Sequence, residues 1–190
     1  MGFNVYSAIG LCWIVLGTIW VAGLAFSKRA VRTQSASGRM IEIGLGGLGG
    51  VIIAGYLRLG SWADARFVPH THSIALIGLA LTIAGCFLAV WARVTLGTNW
   101  SGQPSVRAGH ELIQKGPYAL ARHPIYTGLL LALVGTLLAS GQWRCVVGFF
   151  VILLALALKM QFEERLMMQT FPEDYPEYRQ RVKALIPGVF

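Results

Sequence analysis

The chain has 190 residues, 55% of them hydrophobic and 13% charged, with a net charge of +8 and a mean hydropathy of +0.61. A soluble domain carries about 25% charged residues, so this deficit points to a chain solvated by lipid. The basic excess falls mostly in alternate loops between apolar stretches, which argues against a nucleic-acid partner and for a topology signal.

Five apolar stretches follow in order. Val5 to Phe26 exceeds the roughly 20 residues needed to cross the hydrocarbon. It lacks a basic segment before it and an obvious cleavage site after it, so it reads as an anchor rather than a signal peptide. Tyr6 stands where a myristoylation pattern requires Ser or Thr. Ile41 to Leu59 is long enough but rich in glycine. Gly46 and Gly50, four residues apart, predict close helix packing within the monomer. No strand precedes these glycines, so they are not a dinucleotide-binding fingerprint. His70 and His72 precede the third stretch, Ile74 to Leu96. Without further ligands nearby they read as interfacial residues rather than a metal site.

Pro124 to Ser140 and Val146 to Leu158 are shorter, and the tight Gly141-Gln142-Trp143-Arg144 turn makes them a hairpin. Beyond Leu158 the residues turn polar but keep helical character through Met168, so the last span continues as a helix out of the membrane. Phe171-Pro172 ends it, and Tyr175 to Val182 starts a short amphipathic helix suited to the headgroup region. Cys12, Cys86 and Cys145 lie in or beside apolar spans with no CxxC spacing and read as small packing residues.

With five spans, alternate loops fall on opposite sides. Thirteen of the sixteen basic residues lie in the first loop, the third loop and the segment after the last span, leaving Arg58, Arg66 and Arg144 for the other side. The positive-inside rule then puts the N-terminus outside and the C-terminus in the cytoplasm. The expected fold is an all-α integral membrane protein of about five transmembrane helices with a cytoplasmic pocket. It is a single domain, with three N-terminal spans over 1–96 and the loop, hairpin and C-terminal helix over 97–190. The scarcity of lysine, 4 against 12 arginines, hints at a prokaryotic cell membrane.

Chemistry gathers at the ends of the hairpin. The loop from Gly97 to His123 spans 27 residues, a length that usually marks function or disorder, and holds Asn99, Trp100, Gln103, His110 and Tyr118. Arg122-His123-Pro124-Ile125-Tyr126 follows. Pro124 suits a first helical position, and such a helix start offers backbone N–H groups to an anion. His123 reads either as a polar anchor or, in the company of Tyr118 and Tyr126, as a ligand. Glu163 and Glu164 are adjacent acids on a side dominated by basic residues. Glu163 is either half of an i,i+4 pair with Lys159 or a carboxylate that holds a cationic cofactor. Both ends of a membrane hairpin lie on one surface, so the two motifs form one site. No Ser-His-Asp arrangement, P-loop or metal-ligand cluster stands out. Mid-span ionisable residues, the usual mark of ion-coupled transporters, are lacking.

Gly116-x-Tyr118, Arg122-His123-Pro124-x-Tyr126-x-Gly128, the hairpin, Glu163-Glu164 and Tyr175-x-x-Tyr178 resemble the isoprenylcysteine carboxyl methyltransferase family and its relatives, the phospholipid N-methyltransferases. The resemblance covers about half the chain, from Gly97 onward. It implies a membrane methyltransferase that uses S-adenosyl-L-methionine, held in a cytoplasmic pocket, and a lipidic or isoprenoid-like acceptor such as a prenylcysteine carboxylate. Cofactor contacts implied by it are Gln103, His110, Glu111, Leu112, Ile113, Tyr118, His123, Pro124, Ile125, Tyr126 and Glu163. Glu111 departs from the small uncharged residue of the family, so its backbone is the implied contact. Lys159 departs too: it stands where the prenylcysteine enzymes carry an arginine that orients the substrate carboxylate, keeping the charge but not the bidentate fork. A phospholipid amine acceptor is the alternative within the class. A small transporter, a non-catalytic scaffold and a nicotinamide-dependent membrane reductase are alternatives outside it.

Overall fold

The computed structural model describes residues 4–25, 32–33, 36–97, 105–106 and 112–189. Its helices are α1 (Val5–Ala25), α2 (Ala36–Ala54), α3 (Ser61–Asp64), α4 (His72–Leu96), α5 (Pro124–Ser140), α6 (Trp143–Thr170) and α7 (Asp174–Arg181). A 3-10 turn, Gly116–Ala119, precedes α5, and two short strands, β1 (Arg32–Thr33) and β2 (Ser105–Val106), pair antiparallel. Helices α1, α2, α4 and α6 are long and apolar enough to cross a membrane. The 17 residues of α5 rise about 25 Å, near the lower limit for a span. The molecule is a multi-pass membrane protein.

Most element boundaries match the sequence reading, and α2 is the exception. It starts and ends five residues earlier than the apolar stretch Ile41–Leu59. Gly55 takes a positive φ of 79°, which stops the helix at Ala54 and leaves Tyr56 to Gly60 outside it. Hydropathy could not register this stop, because Tyr56, Leu57 and Leu59 continue the apolar run.

The core inverts the pattern of a soluble bundle. Large apolar side chains such as Leu11, Ile14, Ile43, Phe87 and Phe150 are exposed, whereas Ala89, Ala92 and Ala132 are fully buried. Lipid tails solvate leucine as well as another helix does, so association relies on small residues that let backbones touch. Helices α4 and α5 meet through Gly78, Gly85, Gly128 and Gly135. A Cβ on Gly78 would lie 2.5 Å from the Gly135 carbonyl oxygen, and one on Gly128 would lie 2.6 Å from that of Gly85. The Thr82 hydroxyl, fully buried between them, donates to the carbonyl of Gly78 at 2.9 Å and to that of Ala132 at 3.3 Å. Helix α2 packs on α6 inside the monomer as expected, but through Gly49 against Gly148; Gly46 and Gly50 face open space. The expected four-residue pair is corrected to a single glycine whose partner lies on another helix.

The connections sort to two ends. Phe67 and Trp143 hydrogen-bond across to Gly141 and Ala65, and Tyr6 bonds to His70 at 2.7 Å. The start of α1, the α2–α4 connection and the hairpin turn therefore share one end. At the other, Arg93 near the end of α4 donates to the Gly23 carbonyl near the end of α1, and β1 pairs β2. The C-terminal segment joins that second end through Arg122 and His123. The chain thus alternates between the two ends along α1, α2, α4, α5 and α6.

Candidate active site

At the second end, local backbone chemistry sets the stage. Gly116, with a φ of 60°, opens the turn that buries Pro117 and Tyr118. His123 is the residue before α5, and Pro124 takes the first helical position, as read from sequence. The backbone N–H groups of Arg122 and His123 donate to the carbonyls of Lys183 and Ala184, both at 2.9 Å. The Thr127 hydroxyl donates to the Leu185 carbonyl at 2.8 Å. The C-terminal segment is thus bonded along the entrance of α5. Tyr175, Tyr178 and Val182 form a buried cluster with Leu112 packed on it, and the Tyr178 hydroxyl donates to the Tyr118 carbonyl at 2.6 Å.

Into this frame α6 brings two adjacent carboxylates. Neighbours on a helix point about 100° apart, so they serve different partners. Glu163 accepts a 2.6 Å hydrogen bond from the Tyr126 hydroxyl, and His123 Nδ1 lies 3.5 Å from its other oxygen. Glu164 Oε1 accepts from Arg122 Nε at 2.8 Å, from the Tyr175 hydroxyl at 2.9 Å and lies 2.9 Å from His123 Nε2. Arg179 Nε is 3.3 Å from Glu164 Oε2. Arg122 is itself fixed by donating to the Arg179 and Val182 carbonyls. The imidazole bridges the two acids and stacks on Tyr126, 5.5 Å between centroids and 5° from parallel. Lys159 Nζ stands 5.8 Å from the Tyr126 ring centroid, on the same face as Glu163.

Electrostatics follow from these contacts. Burial alone would lower the His123 pKa, but its hydrogen bonds to Glu163 and Glu164, with their charges, outweigh this and raise it above 6.5. Burial, reinforced by the Glu164 charge, keeps the Tyr175 phenol protonated as a donor. The acids differ in openness: the Glu163 side chain is 26% exposed and Glu164 14%. Three protein groups converge on Glu164 Oε1, whereas Glu163 has the more exposed carboxylate of the two.

The structure therefore brings together Tyr118, His123, Pro124, Tyr126, Lys159 and Glu163, with Ile125 half-buried between them in sequence. Leu112 joins the hydrophobic cluster under α7, and Ile113 beside it is half-buried. Gln103, His110 and Glu111 lie outside the described residues. Sequence reasoning did not place Arg122, Glu164, Tyr175 and Arg179 in one network. The available signal was the angular separation of adjacent helical acids, which demands a second set of partners for Glu164.

Comparison with known proteins places this geometry in context. A family model described as phospholipid methyltransferase matches residues 74–174. Protein-S-isoprenylcysteine O-methyltransferase B of Arabidopsis thaliana is 32% identical over 133 residues, covering 67% of this chain and 68% of that protein. A probable protein-S-isoprenylcysteine O-methyltransferase of Oryza sativa subsp. indica is 32% identical over 145 residues, covering 73% and 76%. The cobalt-zinc-cadmium resistance protein CzcN of Cupriavidus metallidurans is 32% identical over 130 residues, covering 66% and 53%.

Proposed function

The chain belongs to the phospholipid methyltransferase family, and from that premise we propose that it methylates a lipidic acceptor, most simply a prenylcysteine-type carboxylate, with S-adenosyl-L-methionine as donor. The observation that carries this reading is Glu163, a partly open carboxylate held by Tyr126 and His123 at the end of the α5–α6 hairpin.

The donor set fits the cofactor. S-adenosyl-L-methionine carries a sulfonium and an ammonium cation, and Glu163 offers a negative charge beside the faces of Tyr126 and His123. Tyr118, His123, Pro124, Ile125, Tyr126 and Glu163 would hold it, with Gln103, His110, Glu111, Leu112 and Ile113 on the loop side. When bound, it supplies an electrophilic methyl carbon, so that displacement by a carboxylate oxygen yields a methyl ester and a neutral thioether.

The protein's own part is positioning. Tyr126 and His123 orient Glu163 and keep it ionised. Lys159, on the same face, holds the acceptor carboxylate by charge. An α-carboxyl group has a reference pKa of about 3.5, so it arrives ionised and needs no general base. An amine acceptor would first have to lose a proton. His123, with its raised pKa and both nitrogens directed at carboxylates, is a poor base for that task. This favours O-methylation over the phospholipid amine reading. The plant relatives' names support the prenylcysteine class, and the basic third loop and C-terminal segment support a site on the cytoplasmic side. The apolar exterior of the spans suits an acceptor that arrives within the bilayer.

The test is a radiolabelled-methyl transfer assay in detergent with a small prenylcysteine analogue and with total membrane lipid as acceptors. Base-labile label on the analogue is the expected result. Base-stable label on phospholipid would replace the reading with N-methylation, and no transfer by folded protein that also fails to bind the donor in calorimetry would overturn it.

A further inference from the structure

Beyond Leu158 the α6 helix has a second functional face. About a third of a turn around from Glu163 lies a groove of about 760 Å³ between α6 and the C-terminal segment, lined by Met160, Arg165, Met168, Arg179 and Lys183 with Glu164 in its wall. It contains none of the residues assigned to the cofactor or the acceptor.

Its charge is unbalanced. The Glu164 carboxylate is matched by Arg122 and Arg179, and Arg122 is occupied within the protein. Glu164 Oε2 is buried and accepts no hydrogen bond, with Arg179 Nε 3.3 Å from it. Among the described residues, the Arg165 and Lys183 side chains have no hydrogen-bond or ion-pair partner, and Arg179 commits only Nε. Three exposed cations thus converge from two segments on one concave surface, an arrangement that matches phosphate oxygens.

The groove's position selects among phosphates. At about 1.5 Å per residue, Met160 to Arg165 lie about 3–10 Å past the last apolar residue of the span, the depth of the headgroup layer. Leu154 and Leu158 lie on the same helical stripe as Gln161 and Arg165, and both are exposed on the helix surface. An exposed apolar track thus runs up the helix into a basic cup with methionines in its lining. That combination suits a molecule with a phosphate head and an acyl tail. We propose that this groove is a binding site for an anionic glycerophospholipid, its phosphate bridging Arg165 of α6 to Arg179 and Lys183 of the C-terminal segment. The bridged segment is the one whose Lys183 and Ala184 carbonyls hold the backbone of Arg122 and His123. An occupied groove therefore braces the active site from behind. The inference does not depend on the identity of the methyl acceptor.

Native mass spectrometry of delipidated, full-length protein tests it, with phosphatidylglycerol and phosphatidylcholine supplied at equal concentration. The wild type should retain phosphatidylglycerol in preference by on the order of tenfold, and Arg165→Gln with Lys183→Gln should abolish the preference. Arg181→Gln, an exposed cation of α7 outside the groove, should keep it. Circular dichroism of each variant checks that the helices are intact, and the two single variants should each show a partial loss. Equal retention of both lipids by wild type overturns the proposal, as does an unchanged preference in the double variant or an equal loss in Arg181→Gln. Displacement of the lipid by an equal concentration of inorganic phosphate or glycerophosphoglycerol would overturn the lipid as its source.

Discussion

The two ends of the bundle are both tied by polar side chains, but in opposite ways. At the hairpin-turn end, Asp64 faces Arg144 at 3.5 Å with its side chain 65% exposed, and Tyr6 meets His70 in an exposed contact. At the other end, two carboxylates, Arg122 and a histidine interlock with Tyr126 and Tyr175, largely out of water, with Arg179 at the rim. Exposed pairs contribute up to about 1 kcal/mol. Buried charges cost several times that unless every partner is present, and they persist where chemistry needs fixed charge. The difference is what the proposed division into an anchoring end and an active-site end rests on.

The sharpest way to break the contrast is to remove the open acid. Glu163→Ala should reduce S-adenosyl-L-methionine affinity by on the order of 100-fold or more, read by calorimetry, because a ligand cation then enters without its counter-charge. Glu164→Ala should act on the fold instead. Leaving Arg122 and Arg179 without their carboxylate should cost about 3–5 kcal/mol, seen as a lower unfolding temperature. If both substitutions gave the same phenotype, the division of labour between the two faces of α6 would be wrong.

A pH series sharpens the same comparison. The folded-state pKa of His123 is raised above 6.5, so the folded protein holds that proton more tightly than the unfolded chain. The resulting stability is full below about pH 6.5 and is lost as pH rises through the folded value. The unfolding temperature should therefore fall on going from pH 6 to alkaline pH, and His123→Gln should flatten that slope. Lys159→Arg probes substrate choice: a bidentate fork should lower KM for a prenylcysteine analogue several-fold with little change in kcat. Asp64→Asn, at the anchor end, should shift stability by no more than about 0.5 kcal/mol.

Much of this was legible in the chain because lipid imposes simple rules. Length and apolarity located α1, α4 and α5 closely, and the polar continuation of α6 past Leu158 was visible as helical residues with no breaker before Phe171. The hairpin argument correctly brought His123 to Glu163, since two motifs flanking one excursion must share a surface. What failed needed information that hydropathy does not carry. The stop of α2 depends on the backbone angle at Gly55, and the choice of Gly49 over Gly46 or Gly50 depends on Gly148 of a helix about a hundred residues away. Reading Glu163 and Glu164 as a pair missed that a helix turns about 100° between them. That rotation separates an acid held by Tyr126 and His123 from one held by Arg122, Tyr175 and Arg179.

The glycine contacts between α4 and α5 carry a mechanical consequence. Where main chain rests on main chain, no rotamer can swing aside to open a gap, and the Thr82 hydroxyl stitches the two rods together at their midpoint. These two helices must travel as one stiff slab. Any breathing that lets a greasy molecule slip in from the bilayer has to occur along a different seam.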